Sequence, residues 1–205
     1  MTARAGMPLG GVAHTEREGR GPPPGTSARL TRPWSPSVAG MASLIPDVSG
    51  LGSRDLLRLY AQILSELRRR TVVRSANAPA GDLAERLVRD AYLGVLAPPS
   101  VKSWDVELAD GTRLQVKSRV VDSNNKKSQT FSPFRSWDFD SCIFVLFDAT
   151  TYDVSLAVSI EREAARAMAR RSEWVAGERL TVRQILAAET AVDVTDRLRS
   201  AYANL

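Results

Sequence analysis

The chain has a single cysteine, Cys142, and a single histidine, His14. One cysteine excludes an internal disulfide framework. Within the apolar run CIFVLF it reads as a small buried hydrophobe. The lone histidine lies near the N-terminus, which argues against a Ser-His-Asp triad, a histidine-metal nuclease and a histidine general base. No apolar stretch reaches the roughly 18 residues of a membrane helix. No apolar h-region of a secretory signal opens the chain, so the expectation is a cytoplasmic protein with no membrane partner. Neither a P-loop nor a dinucleotide glycine fingerprint occurs.

Against these absences stand 205 residues of which 43% are hydrophobic and 25% charged, ordinary values for one globular domain with appendages. The net charge of +5 is unevenly spread. Residues 1–40 hold five arginines and two glutamates, so more than half of the excess sits there. That segment is rich in Gly, Pro, Ser and Thr and cannot bury enough apolar surface to offset ordering entropy. Residues 1–45 are therefore expected to be a disordered basic tail, with a nucleic-acid-brushing arm as the alternative. Residues 46–205 are expected to form a single domain.

Within that domain, Leu56, Leu59, Tyr60, Ile63, Leu64 and Leu67 recur at helical spacing and predict a helix over 53–70, with Ser53 as N-cap. A second helix, GDLAERLVRDAYLG, carries Leu83, Leu87, Val88 and Ala91 on its apolar face, and Gly94 suits its exit. Glu85 points about 200° away from Leu83, onto the polar side. The apolar run at 141–149 reads as a strand buried on both faces, with YDVSLAVSI as its neighbour. Ser159 is a candidate cap for a following helix, Thr181 and Gln184 form a candidate capping box, and Thr195 is a candidate cap for the last helix. The core is expected over 78–170 and C-terminal helices over 181–205.

The stretch WDVELADGTRLQVKSRV reads as a hairpin whose register depends on its loop. A two-residue loop of Asp110-Gly111 mixes apolar and charged side chains on each face. A three-residue loop, Ala109-Asp110-Gly111, puts glycine in a left-handed position and sets Val106 opposite Leu114. It gathers Val106, Leu108, Leu114 and Val116 on one face, and Asp105, Glu107, Arg113, Gln115 and Lys117 on the other. Because a one-residue slip flips every side chain, the hydrophobic pattern selects this second register. Alone, such a polar face simply meets water, as half-buried antiparallel strands commonly do.

Glu85 on a helix, Asp105 on a strand and Gln115-Val116-Lys117 on the next strand together resemble the PD-(D/E)XK nuclease superfamily. The form is a QxK variant similar to Mrr-type and Holliday-junction-resolvase-like members. The resemblance covers residues 80–159. It implies an α/β fold, the restriction-endonuclease-like mixed β-sheet flanked by helices. It further implies a Mg²⁺-dependent endodeoxyribonuclease, with Mn²⁺ as substitute, acting in restriction or repair. DNA is the implied partner and, as in many members, a homodimer the implied assembly. By this resemblance Glu85, Asp105, Gln115 and Lys117 are catalytic. Glu85, Asp105, the Gln115 amide oxygen and the Val116 carbonyl hold the metal, and Lys117 orients the attacking water or steadies transition-state charge. Two departures stand out: no clear helix falls between Lys117 and Ser141, and Gln115 replaces the usual Glu or Asp.

Plain alternatives exist for each residue. Glu85 pairs only with Arg89 at i,i+4, worth about 0.2–0.5 kcal/mol. Lys117 pairs only with Asp105 across the strands. Gln115 is a surface amide. Between Gly111 and Trp137 lie Arg113, Lys117, Arg119, Lys126, Lys127 and Arg135 against Asp122 alone. Beside the resembling site, Arg113, Arg119, Lys126, Lys127 and Arg135 are candidate DNA contacts, with Phe131, Phe134 and Trp137 offered for base stacking. Aromatics packed inward are the alternative. The rival functions are a nuclease-fold DNA-binding module without catalysis, motivated by Gln115, and a helix-turn-helix over 181–202.

Overall fold

The structure is a computed structural model that describes residues 45–101, 103–122, 129–171 and 176–205. The expectations for the N-terminal tail, and for Lys126 and Lys127, lie outside the described residues. Two helices open the described chain, α1 (Ser53–Arg69) and α2 (Ala80–Tyr92). Five strands follow: β1 (Val95–Leu96), β2 (Val106–Glu107), β3 (Arg113–Val121), β4 (Ser141–Asp148) and β5 (Val154–Glu161). Then come α3 (Arg162–Met168), β6 (Arg170–Arg171), β7 (Glu178–Arg179), α4 (Val182–Leu186), β8 (Val192–Asp193) and α5 (Thr195–Ala203).

The fold is mixed α/β. Six strands form one sheet in the order β1-β2-β3-β4-β5-β8, and β6 pairs with β7 separately. β3 and β4 are parallel and every other pairing is antiparallel. The alternating side chains of β4 divide between two cores. Ile143, Val145 and Phe147 pack with Leu83, Leu87 and Val88 of α2 and with Leu198 of α5. Cys142, Phe144 and Leu146 pack with Phe131, Phe134 and Phe139, together with Ala165 of α3 and Ile185 of α4. A strand with apolar side chains in both directions needs a layer on each side, and the central position of β4 supplies both.

The parallel β3–β4 pair requires a crossover. Among the described residues it contains no helix. Instead Phe131 and Phe134 are buried, and Thr130 and Phe134 make isolated bridges to Thr181 and Glu178.

Several expected helix ends fall elsewhere. α1 starts at Ser53, but Gly52 is its N-cap, with no side-chain cap. Of the six apolar residues at helical spacing only Leu64 is buried, while Leu56, Tyr60 and Ile63 are exposed. Local period fixes which residues share a face and leaves open whether another element covers it. Leu93, not Gly94, takes the left-handed position that ends α2, at φ 54°. Gly94 is required for a different reason: a Cβ there would sit 2.5 Å from Val106 Cγ1 and 2.9 Å from the Glu107 carbonyl oxygen. Ser159 lies inside β5 and caps nothing, because the strand runs on to Glu161. The capping box of Thr181 and Gln184 is present at α4. Thr195 is the first residue of α5 rather than its cap. Its hydroxyl accepts from the Ala157 N–H at 2.9 Å and so fastens the helix to β5. The helix-turn-helix expectation also fails, since β8 pairs with β5 between the two short helices.

No helix among the described residues is long and apolar enough to cross a membrane.

Candidate active site

The hairpin adopts the three-residue loop. Val106 faces Leu114 and Glu107 faces Arg113. Leu108 donates to the Thr112 carbonyl at 2.9 Å, and Gly111 turns at φ 86°. Asp110 accepts from the Thr112 N–H at 2.9 Å and holds the loop from inside. Val106, Leu114 and Val116 are buried on the α2 side of the sheet.

β2 is too short to follow β3 for long. The Asp105 N–H still reaches the Leu114 carbonyl at 2.9 Å, but from Val116 onward no β2 residue is in register with β3. The Val116 N–H donates instead to Asp105 Oδ2 at 2.6 Å. Gln115 Nε2 donates to the same oxygen. A carboxylate thus ends the ladder, and the edge of β3 opens beside it.

A cavity of about 340 Å³ occupies this opening. Glu85 from α2, Asp105, and Gln115, Val116 and Lys117 from β3 all line it, with Pro133 and Arg135 from the crossover. The residues singled out from the sequence therefore converge. Gln115 and Lys117 are only 6% and 9% exposed, so this part of the polar strand face is covered rather than solvated. Lys117 Nζ lies 3.4 Å from the Pro133 carbonyl and 4.8 Å from the centre of the Phe134 ring.

Burial dominates the electrostatics. It pushes the Glu85 carboxyl up to about 7, helped by the negative charge of Asp105 and opposed by Arg74. It also lifts Asp105 above the usual carboxylate range, although the Val116 N–H, Lys117 and Gln115 pull it back. Burial lowers the Lys117 ammonium below its ordinary value. Glu85 and Asp105 are thus two neighbouring carboxylates whose charged forms burial disfavours. Among the described residues no group of three or more His, Cys, Asp and Glu is placed to hold a metal ion. Magnesium commonly uses one or two carboxylates and keeps several waters, so Glu85, Asp105 and the Val116 carbonyl suit it. For Gln115 to add its oxygen, the amide must turn over, because Nε2 now faces Asp105.

The other candidates behave differently. Glu85 pairs with Arg74, while Arg89 turns to Asp90. Arg74 was not foreseen: it lies in a turn eleven positions upstream, where no periodicity signals a partner. Its own N–H and that of Ser75 are fixed by Asp82 Oδ2, at 2.8 and 2.6 Å. Arg113 sits 3.8 Å from Asp138 and 5.5 Å from the centre of the Trp104 ring, outside the 340 Å³ cavity. Arg119 is exposed on β3, and among the described candidate DNA-contacting cations Arg135 alone lines this cavity. The stacking expectation is corrected. Phe131 and Phe134 are buried, and Trp137 stacks on Phe134 with centroids 4.5 Å apart. Burying two aromatic rings and packing a third against them outweighs leaving them in a solvated loop.

A larger cavity of about 820 Å³ lies beside β5 and the start of α5, but its charged residues Asp193, Asp196, Arg197 and Arg199 are exposed. No family model matches this chain, and no curated protein is significantly similar to it.

Proposed function

We propose that this protein is a divalent-metal-dependent nuclease that hydrolyses DNA phosphodiester bonds. The observation carrying the reading is the convergence of Glu85, Asp105 and Lys117, from three separate segments, on one cavity where burial raises both carboxylates. Resemblance of the same residues to the PD-(D/E)XK pattern supports it. So does the presence of a crossover cation, Arg135, among the residues lining the cavity.

In this reading Glu85, Asp105 and the Val116 carbonyl would hold Mg²⁺ or Mn²⁺. When bound, such an ion would supply an activated water and offset charge on the phosphate. Asp105 is fixed by the Val116 N–H, so its free oxygen is oriented before substrate arrives. Lys117 projects its ammonium into a nearly water-free wall, where a charge acts strongly on a developing oxyanion. Arg135 meets the backbone at the rim as a positioning cation.

The test is cleavage of plasmid and linear DNA by the purified chain with Mg²⁺ or Mn²⁺. Turnover lost in both Asp105→Ala and Lys117→Ala is expected; turnover surviving in both overturns the reading. Gln115 favours a second reading, a nuclease-fold DNA-binding module without catalysis, because its Nε2 donates to the carboxylate that would ligate the ion. Salt-dependent DNA binding with no metal-dependent turnover selects that alternative.

A further inference from the structure

Glu85 and Asp105 line two cavities. The second, of about 320 Å³, lies against Arg74, Pro98, Pro99 and Trp104. We infer that this second cavity is a nucleobase subsite, holding an unpaired base of the strand whose phosphate enters the first. The inference rests on the nuclease reading for its substrate and adds a requirement on that substrate's structure.

The walls suit a flat, uncharged ring. Its volume falls within the range of about 300–1,000 Å³ typical of small-molecule sites. Trp104 is half-buried and provides an indole, with the Arg113 guanidinium 5.5 Å from its ring centre. Pro98 and Pro99 present rigid aliphatic surface, since their φ angles are locked. Arg74 is held in place by Glu85 and by the Ala97 carbonyl at 3.2 Å, so the wall exists before any ligand binds.

Charge then selects a base over a second phosphate. Among the described residues, Asp82, Glu85 and Asp105 line the cavity against Arg74 as the one cation. An anion is repelled there, whereas the amino groups of adenine, guanine or cytosine can donate to carboxylate oxygens. Because the two cavities share Glu85 and Asp105, a phosphate in one brings a neighbouring base to the other. A base stacked inside a duplex cannot reach such a pocket and must be unpaired or extruded.

The test uses the full chain and three labelled DNA duplexes: fully paired, carrying one unpaired base, and carrying an abasic residue at that place. Dissociation constants are read by fluorescence anisotropy in EDTA and in Ca²⁺. The unpaired-base probe should bind roughly 5- to 140-fold tighter than the other two, the range for stacking one base on an aromatic side chain. Trp104→Phe should keep that preference and Trp104→Leu should lose it. Equal affinities in the wild type, no binding of any probe, or a preference that survives Trp104→Leu each overturn the inference. The wild-type comparison decides even where a variant folds poorly. Cleavage of the same probes in Mg²⁺ separates the two readings. Asp105-dependent cleavage with equal affinities leaves the nuclease and removes the subsite. A base preference without cleavage leaves the subsite and removes the nuclease.

Discussion

The Val116 N–H ends its ladder on Asp105 Oδ2, at 2.6 Å, where a longer β2 would have offered a carbonyl. The carboxylate therefore has a structural task alongside the proposed catalytic one, and substitutions should separate them. Asp105→Ala leaves the Val116 N–H and the Gln115 amide without their acceptor, which costs about 1–3 kcal/mol per buried group. Asp105→Asn can keep one acceptor oxygen there and should cost less. Urea denaturation at neutral pH is expected to rank Asn above Ala, while both variants lose cleavage by a hundredfold or more.

Lys117 should behave in the opposite way. An ammonium does not ligate a cation, so Lys117→Met is expected to keep Mn²⁺ affinity within about threefold and to lower cleavage by roughly 10²–10³, the scale for removing one group that stabilises transition-state charge. Calorimetric Mn²⁺ titration beside a cleavage assay checks both halves.

The Glu85 carboxyl stands at about 7 in the folded protein against an ordinary value of 4.5. A folded value above the unfolded one means that folding favours the protonated form. The stability this contributes is complete below about 4.5 and is lost as pH rises through about 7. Melting temperature measured in EDTA should fall across that window, and Glu85→Gln should flatten the fall. Added Mg²⁺ should restore stability mainly at the upper end, where the carboxylate is ionised.

Arg135 lines the cavity from the exposed side of the crossover. Arg135→Ala should weaken DNA binding similarly for all sequences and reduce the slope of log affinity against log salt by about 0.9 if it neutralises one phosphate. Titrations at several salt concentrations give that slope directly.

The hairpin is where local sequence reaches furthest. The alternation of Val106, Leu108, Leu114 and Val116, with glycine at the turn, selects the loop and brings Asp105 beside Gln115. The face of α2 and the doubly buried β4 follow from period in the same way. Cap positions are less legible, because Ser159 and Thr195 suit a helix start by type, while strand pairing across the sheet decides where the helices begin.

By itself the sequence determined which side chains share a face, since periods of 2 and 3.6 are properties of the local backbone. Tertiary structure decided what each face meets. It buried Gln115 and Lys117 beneath the crossover, turned the aromatics of that segment inward, and gave Glu85 to Arg74 rather than to Arg89. Such outcomes depend on segments distant along the chain competing for the same surface, and no local pattern records which of them wins.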